Sequence, residues 1–63
     1  MHDSQHQSQR RTQILTAAER VFDQHGYARA TVGAVATEAG IAKGSIYNYF
    51  KSKEELLDHL KSL

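Results

Sequence analysis

Lys43, Ser45, Tyr47, Asn48, Tyr49 and Lys53 crowd into one short stretch of the chain, with Gly44 among them. Ammonium, hydroxyl and amide groups of this kind donate hydrogen bonds to phosphate oxygens, and Lys and Asn also fit the acceptor pattern of purine edges. Lys43 heads a candidate helix, where the helix dipole disfavours a cation by about 0.3–1 kcal/mol. Either its ammonium reaches a guanine edge or a phosphate, or it is an ordinary solvated lysine. Gly44 inside a helix costs up to ~1 kcal/mol relative to Ala; close approach of its backbone to a ligand accounts for that, as does a loosely wound first turn. Ser45 bonds either to a base or phosphate or to its own backbone, and Asn48 either reads adenine or is solvated. Tyr47 and Tyr49 can pack their rings on a core edge while their hydroxyls meet phosphate. Lys53 repeats the oddity of Lys43 in the first turn of another helix, so it clamps a phosphate or pairs with a nearby Glu, the latter worth little. Thr31 is an N-cap candidate whose hydroxyl can also meet a phosphate, as can the amides it precedes. Arg10 and Arg11 reach phosphates or a minor groove from the start of the first helix, or stay solvated, and Arg29 is a further phosphate candidate.

The elements that must position these groups are helices. Ile14, Leu15, Ala18, Val21 and Phe22 recur at spacings of three and four, which makes one apolar stripe of a helix beginning near Arg10. Gly26 ends it as a left-handed cap and brings Tyr27 against Phe22. Thr31 opens a second helix with Val32, Val35, Ala36 and Ala39 on its buried face, and Gly40 stops it, placing Ile41 over Ala36. A third runs from about Ala42 to Phe50, carrying Ile46, Tyr49 and Phe50 inward and Lys43, Gly44, Tyr47 and Asn48 outward. The small residues Ala36 and Gly40 let the second and third helices meet at a sharp turn, which is the helix-turn-helix pattern. Ser52 and Glu55 then form a capping box for a fourth helix with Leu56, Leu57, Leu60 and Leu63 on one face. Residues 1–9 are mostly Gln, Ser, His and Asp and are expected to form a flexible arm.

Composition narrows the classes. The chain has 63 residues, a net charge of +1 and no cysteine, so disulfides and thiolate metal sites are excluded. The charge is uneven: Arg29, Lys43, Lys51 and Lys53 stand against Glu38 alone, whereas Glu54, Glu55 and Asp58 stand against Lys61 in the last stretch. A basic side of this kind attracts a polyanion through counterion release. No apolar run approaches the ~18 residues of a membrane span, and the polar start has no signal-peptide core. His2, His6, His25 and His59 lack supporting ligands, so no metal is expected. No cofactor loop and no nucleophile with its base is present either, and an enzyme is not expected.

Read as a unit, ATVGAVATEAGIAKGSIYNYFKSKEELL resembles the N-terminal DNA-binding domain of the tetracycline-repressor (TetR) family of bacterial transcription regulators. The likeness spans roughly Arg10 to Leu60 and rests on Gly26-Tyr27, the Ala-x-x-x-Gly turn, Lys43-Gly44, the Tyr-x-Tyr-Phe end of the third helix and Ser-Lys-Glu at the fourth. It implies an all-α fold: a three-helix helix-turn-helix domain over 10–51, then the start of a linking fourth helix over 52–63, with the C-terminal ligand-binding and dimerisation domain absent. It also implies a homodimer on a palindromic operator, usually repressing, with a small-molecule effector bound by the missing domain, in the bacterial cytoplasm at the nucleoid. Two positions depart from the family. Ala42 stands where Ser or Thr is common, which removes a side-chain cap worth about 1 kcal/mol, and Gly33 replaces a longer residue that reaches DNA in some relatives.

The reading that follows is sequence-specific binding of double-stranded DNA. Lys43, Gly44, Ser45 and Asn48 contact bases; Thr31, Tyr47, Tyr49, Lys53, Arg10 and Arg11 contact phosphates. The rival is a helical protein-interaction module working through the stripe from Leu56 to Leu63.

Overall fold

The computed structural model describes the backbone of residues 2–62 and the side chains of 8–62. Four helices follow in order: α1 (His2–His25), α2 (Val32–Ala39), α3 (Lys43–Tyr47) and α4 (Lys53–Lys61), with no strand among the described residues. The all-α class is as the sequence implies.

Most helix boundaries from Gly26 onward have a local chemical cause. Gly26 takes φ +79°, donates its N–H to the Phe22 carbonyl at 2.8 Å and turns the Tyr27 ring edge-on to Phe22, with centroids 5.4 Å apart. Thr31 caps α2 by accepting the Ala34 N–H at 3.0 Å. Gly40 ends α2 at φ +75°, and the Ile41 N–H closes back on the Ala36 carbonyl at 3.0 Å. A side chain at either glycine would be strained by about 1–2 kcal/mol. Ala42 is the N-cap of α3 and supplies no side-chain bond, so that helix begins without one of its usual supports.

Three expectations need correction. Helix α1 begins at His2 rather than near Arg10, so the backbone of 2–9 is helical. No proline or glycine interrupts that segment, and extending a helix already nucleated over the apolar stripe is cheaper than starting one. Helix α3 stops at Tyr47 instead of Phe50. The chain tightens there, the Asn48 N–H bonding to Ser45 O and Tyr49 N–H to Ile46 O, three residues back in each case. At α4, Ser52 accepts the Glu55 N–H at 3.2 Å, but the Glu55 carboxylate reaches past Ser52 to the Lys51 N–H at 2.7 Å. The capping box is thus displaced by one residue, and its two orphan donors are still satisfied.

The core is small and wholly apolar. Phe50, Ile14, Ile46, Leu56 and Val35 are its largest fully buried side chains, drawn from all four helices and the turn after α3. Each such burial stabilises by about 1.5–3 kcal/mol. Ala17, Ala18 and Ala36 are buried with them, and Gln13 ties α1 to the end of α2 by donating Nε2 to the Ala39 carbonyl at 2.8 Å.

Candidate nucleic-acid interface

Helix α3 is five residues long and held from beneath. Ile46 is 0 % exposed and Phe50 1 %, so the helix is pinned by its apolar side. Lys43, Gly44, Tyr47 and Asn48 are exposed, and Tyr47, at 46 %, is the large hydrophobic residue that stands out of the surface. Ser45 and Tyr49 are half-buried at the margin. A phenol ring left in water costs apolar hydration without return in the free chain, which fits a surface that contacts something larger.

The other sequence-derived candidates lie on α1 and at the start of α2. Thr31 is exposed; its oxygen is occupied by Ala34 N–H, leaving its hydroxyl proton free to donate outward. Arg11 is exposed on α1, while Arg10 is half-buried and meets Gln13 Oε1 at 3.5 Å, the outer limit of a hydrogen bond. Gly33 offers an open Cβ position whose nearest neighbour is Thr31 Oγ1 at 3.8 Å. Its carbonyl accepts the Thr37 hydroxyl at 3.1 Å.

Lys53 departs furthest from a simple surface lysine. Its Nζ donates to the Tyr27 carbonyl at 2.8 Å and sits 4.3 Å from the centroid of the Tyr27 ring. No carboxylate of α4 pairs with it among the described salt bridges, which comprise Arg20 with Glu38 at 3.6 Å. The Tyr27 phenol is pushed above its ordinary value, by partial desolvation first and then by the carboxylates of Glu54 and Asp58. The ring beneath Lys53 is therefore a neutral aromatic face, and the attraction is of the cation–π kind. Sequence reasoning missed this seat for Lys53, and it also missed the Gln13 tie. Both join residues 26 positions apart, beyond the reach of spacing rules.

The described surface does not converge on a reaction centre. A shallow groove of about 270 Å³ between α1 and α2 is lined by Gln13, Thr16, Ala17, Arg20, Glu38 and Ala39, and its polar ends are spent on the Gln13 bond and the Arg20–Glu38 pair. Among the described residues no three His, Asp or Glu side chains gather as a metal site, and no helix is long and apolar enough to cross a membrane. Of the rival leucine surface, Leu56 is 0 % exposed and is core, Leu57 and Leu60 are half-buried, and Leu63 lies outside the described residues.

Comparison with known proteins agrees with this geometry. The chain is 47 % identical over 51 residues to the uncharacterized HTH-type transcriptional regulator YhgD of Bacillus subtilis, covering 81 % of this chain and 27 % of that protein. It is 40 % identical over 58 residues to the HTH-type transcriptional repressor KstR2 of Rhodococcus jostii, covering 92 % and 28 %. The solved fatty acid degradation regulator FadR from Bacillus halodurans superposes with a TM-score of 0.80 at 45 % identity, over 81 % of this chain and 26 % of that one. The chain thus spans about a quarter of the length of these relatives. The family model described as bacterial regulatory proteins, tetR family, matches residues 14–60, and with four helices in order and an α3 whose outer side is exposed, the chain belongs to the TetR family of transcription regulators.

Proposed function

We propose that this domain binds double-stranded DNA sequence-specifically by laying α3 in the major groove while α2 crosses the backbone. The observation that carries the reading is the arrangement after Gly40: a left-handed turn, then a helix anchored by Ile46 and Phe50 that leaves Lys43, Gly44, Tyr47 and Asn48 in solvent. Lys43, Gly44, Ser45 and Asn48 read base edges, and Thr31, Tyr47, Tyr49, Lys53, Arg10 and Arg11 hold phosphates. The missing cap on α3 suits this role, because a loosely held first turn adjusts to the groove as contacts form. Gly33 contributes no side chain, so discrimination falls on α3.

In the longer protein to which the relatives' lengths point, we place this domain in a cytoplasmic homodimer on a palindromic operator. Its two α3 helices then sit one DNA turn apart, about 34 Å. A small-molecule effector held outside this domain releases the operator, and the regulator acts as a repressor, as KstR2 is named. The protein-interaction reading is not favoured, since its central leucine, Leu56, is consumed by the core.

Selection of binding sites from a random duplex pool with the full-length protein tests the proposal. Enrichment of a two-fold symmetric sequence supports it; a pool that stays random through successive rounds refutes it.

A further inference from the structure

Tyr27 lies in the turn between α1 and α2, and nothing in the DNA-binding reading uses it. Its carbonyl has two lone pairs, one accepting the Ala30 N–H at 3.2 Å and the other the Lys53 ammonium at 2.8 Å. Its ring lies under the same ammonium at 4.3 Å and is itself braced edge-on by Phe22 at 5.4 Å. Lys53 is thereby fixed at both face and edge of one residue, and the first turn of α4 is fastened to the turn that leads into α2. An ammonium has three N–H donors. One is spent on the carbonyl, which leaves two.

We infer that Tyr27 is the positioning residue of the DNA phosphate clamp: it holds the Lys53 ammonium in place before DNA arrives, so that the remaining N–H groups meet a backbone phosphate without first ordering a flexible lysine. This rests on the DNA-binding reading above. A lysine side chain free in water loses several rotors on binding, and the Tyr27 seat removes that loss in advance. A seat on a neutral ring suits the purpose better than an ion pair would, because a carboxylate would neutralise the charge that the phosphate needs, whereas the ring face leaves it intact. The acidic side chains of the same helix, Glu54 and Asp58, lie toward the Tyr27 phenol, and the Lys53 ammonium is bonded to the carbonyl and the ring face of that residue.

The test is the salt dependence of binding to a random-sequence duplex of about 20 base pairs, which requires no knowledge of the operator. Tyr27→Met keeps apolar bulk against Phe22 but removes the aromatic face; Tyr27→Phe keeps the face. The expected result is that Tyr27→Met weakens binding about two- to five-fold at every salt concentration, while Lys53→Ala, which removes the charge itself, flattens the plot of log affinity against log salt by up to ~0.9, the contribution of one phosphate. Tyr27→Phe should bind as the parent does. In a Lys53→Ala background, Tyr27→Met should change neither quantity further. Parent-like affinity in Tyr27→Met, or a full additional loss in the Lys53→Ala background, overturns the inference, since the first means that the seat contributes nothing to the clamp and the second that Tyr27 acts through another group. Should Tyr27→Met fail to fold, fluorinated phenylalanines at position 27 weaken the ring face at constant shape, and affinity must then fall in step with the number of fluorines. If the parent protein itself shows no salt-dependent duplex binding, the DNA-binding reading fails rather than the role of Tyr27 within it.

Discussion

Gly44→Ala separates stability from binding, because the helix and the proposed docking on DNA give the two effects opposite signs. Gly44 is the second residue of α3 and is absent from the positive-φ positions, which among the glycines are Gly26 and Gly40 alone. Alanine therefore fits its backbone, and a Cβ built there meets no protein atom within 4 Å. Replacing a helical glycine by alanine is worth up to ~1 kcal/mol in a helix interior. In the first turn of a five-residue helix about half of that is expected, ~0.5 kcal/mol. For a domain of this length the unfolding entropy is roughly 0.13 kcal/mol/K, so the melting temperature should rise by about 4 °C. The added methyl nevertheless projects into the open space that the duplex is proposed to occupy. A penalty on the scale of one lost base contact, about 1–3 kcal/mol, weakens binding by roughly 5- to 150-fold. Thermal unfolding followed by circular dichroism and titration of a selected operator by fluorescence anisotropy read the two quantities separately. A variant that is more stable and binds as well as the parent would refute the close backbone approach at position 44, and with it the docking of α3.

Gly40→Ala should destabilise the fold by about 1–2 kcal/mol through its φ of +75°, seen as a lower urea midpoint, since no neighbour is close enough to add a clash. Phe50→Ala should leave the chain largely unfolded in circular dichroism, because a loss of about 3–5 kcal/mol equals the stability that a core of this size supplies. Lys43→Ala should relax base preference, by about 1–3 kcal/mol of discrimination, whereas Lys53→Ala should weaken all sequences alike; identical effects in competition binding would refute that division. The raised Tyr27 phenol makes the folded state harder to ionise than the unfolded chain. Its contribution is therefore intact below the ordinary tyrosine value of about 10 and is lost as pH rises from there through the raised folded value, so unfolding midpoints should fall faster with pH in the parent than in Tyr27→Phe.

What the sequence disclosed and what it concealed divides by distance along the chain. Gly26, Thr31, Gly40 and Ser52 each act on a backbone group within four or five residues, and each does in the structure what its type and position imply. The apolar stripe of α1 likewise names its own buried face, with Ile14, Ala18 and Val21 enclosed. Element ends proved harder where two local rules compete. Asn48 and Tyr49 have the pattern of a continuing helix, but their N–H groups bond three residues back. Glu55 has the spacing of a reciprocal cap, yet its longer reach finds Lys51 instead. Of the candidate interface, the outward set Lys43, Gly44, Tyr47 and Asn48 was visible from helical periodicity. The surroundings of Lys53 were not, because its partner is supplied by another turn of the chain, and no pattern within α4 points to Tyr27.

The central claim is that the solvent-facing side of α3 is the surface that meets DNA. Its most direct measurement is the map of amide chemical-shift changes when the isotopically labelled protein is titrated with duplex. Docking through α3 should give changes centred on Lys43 to Lys53 that shrink as salt is added. Changes confined to Leu57 and Leu60 and to the neighbouring face of α1, with Lys43, Gly44 and Asn48 unmoved, would contradict it.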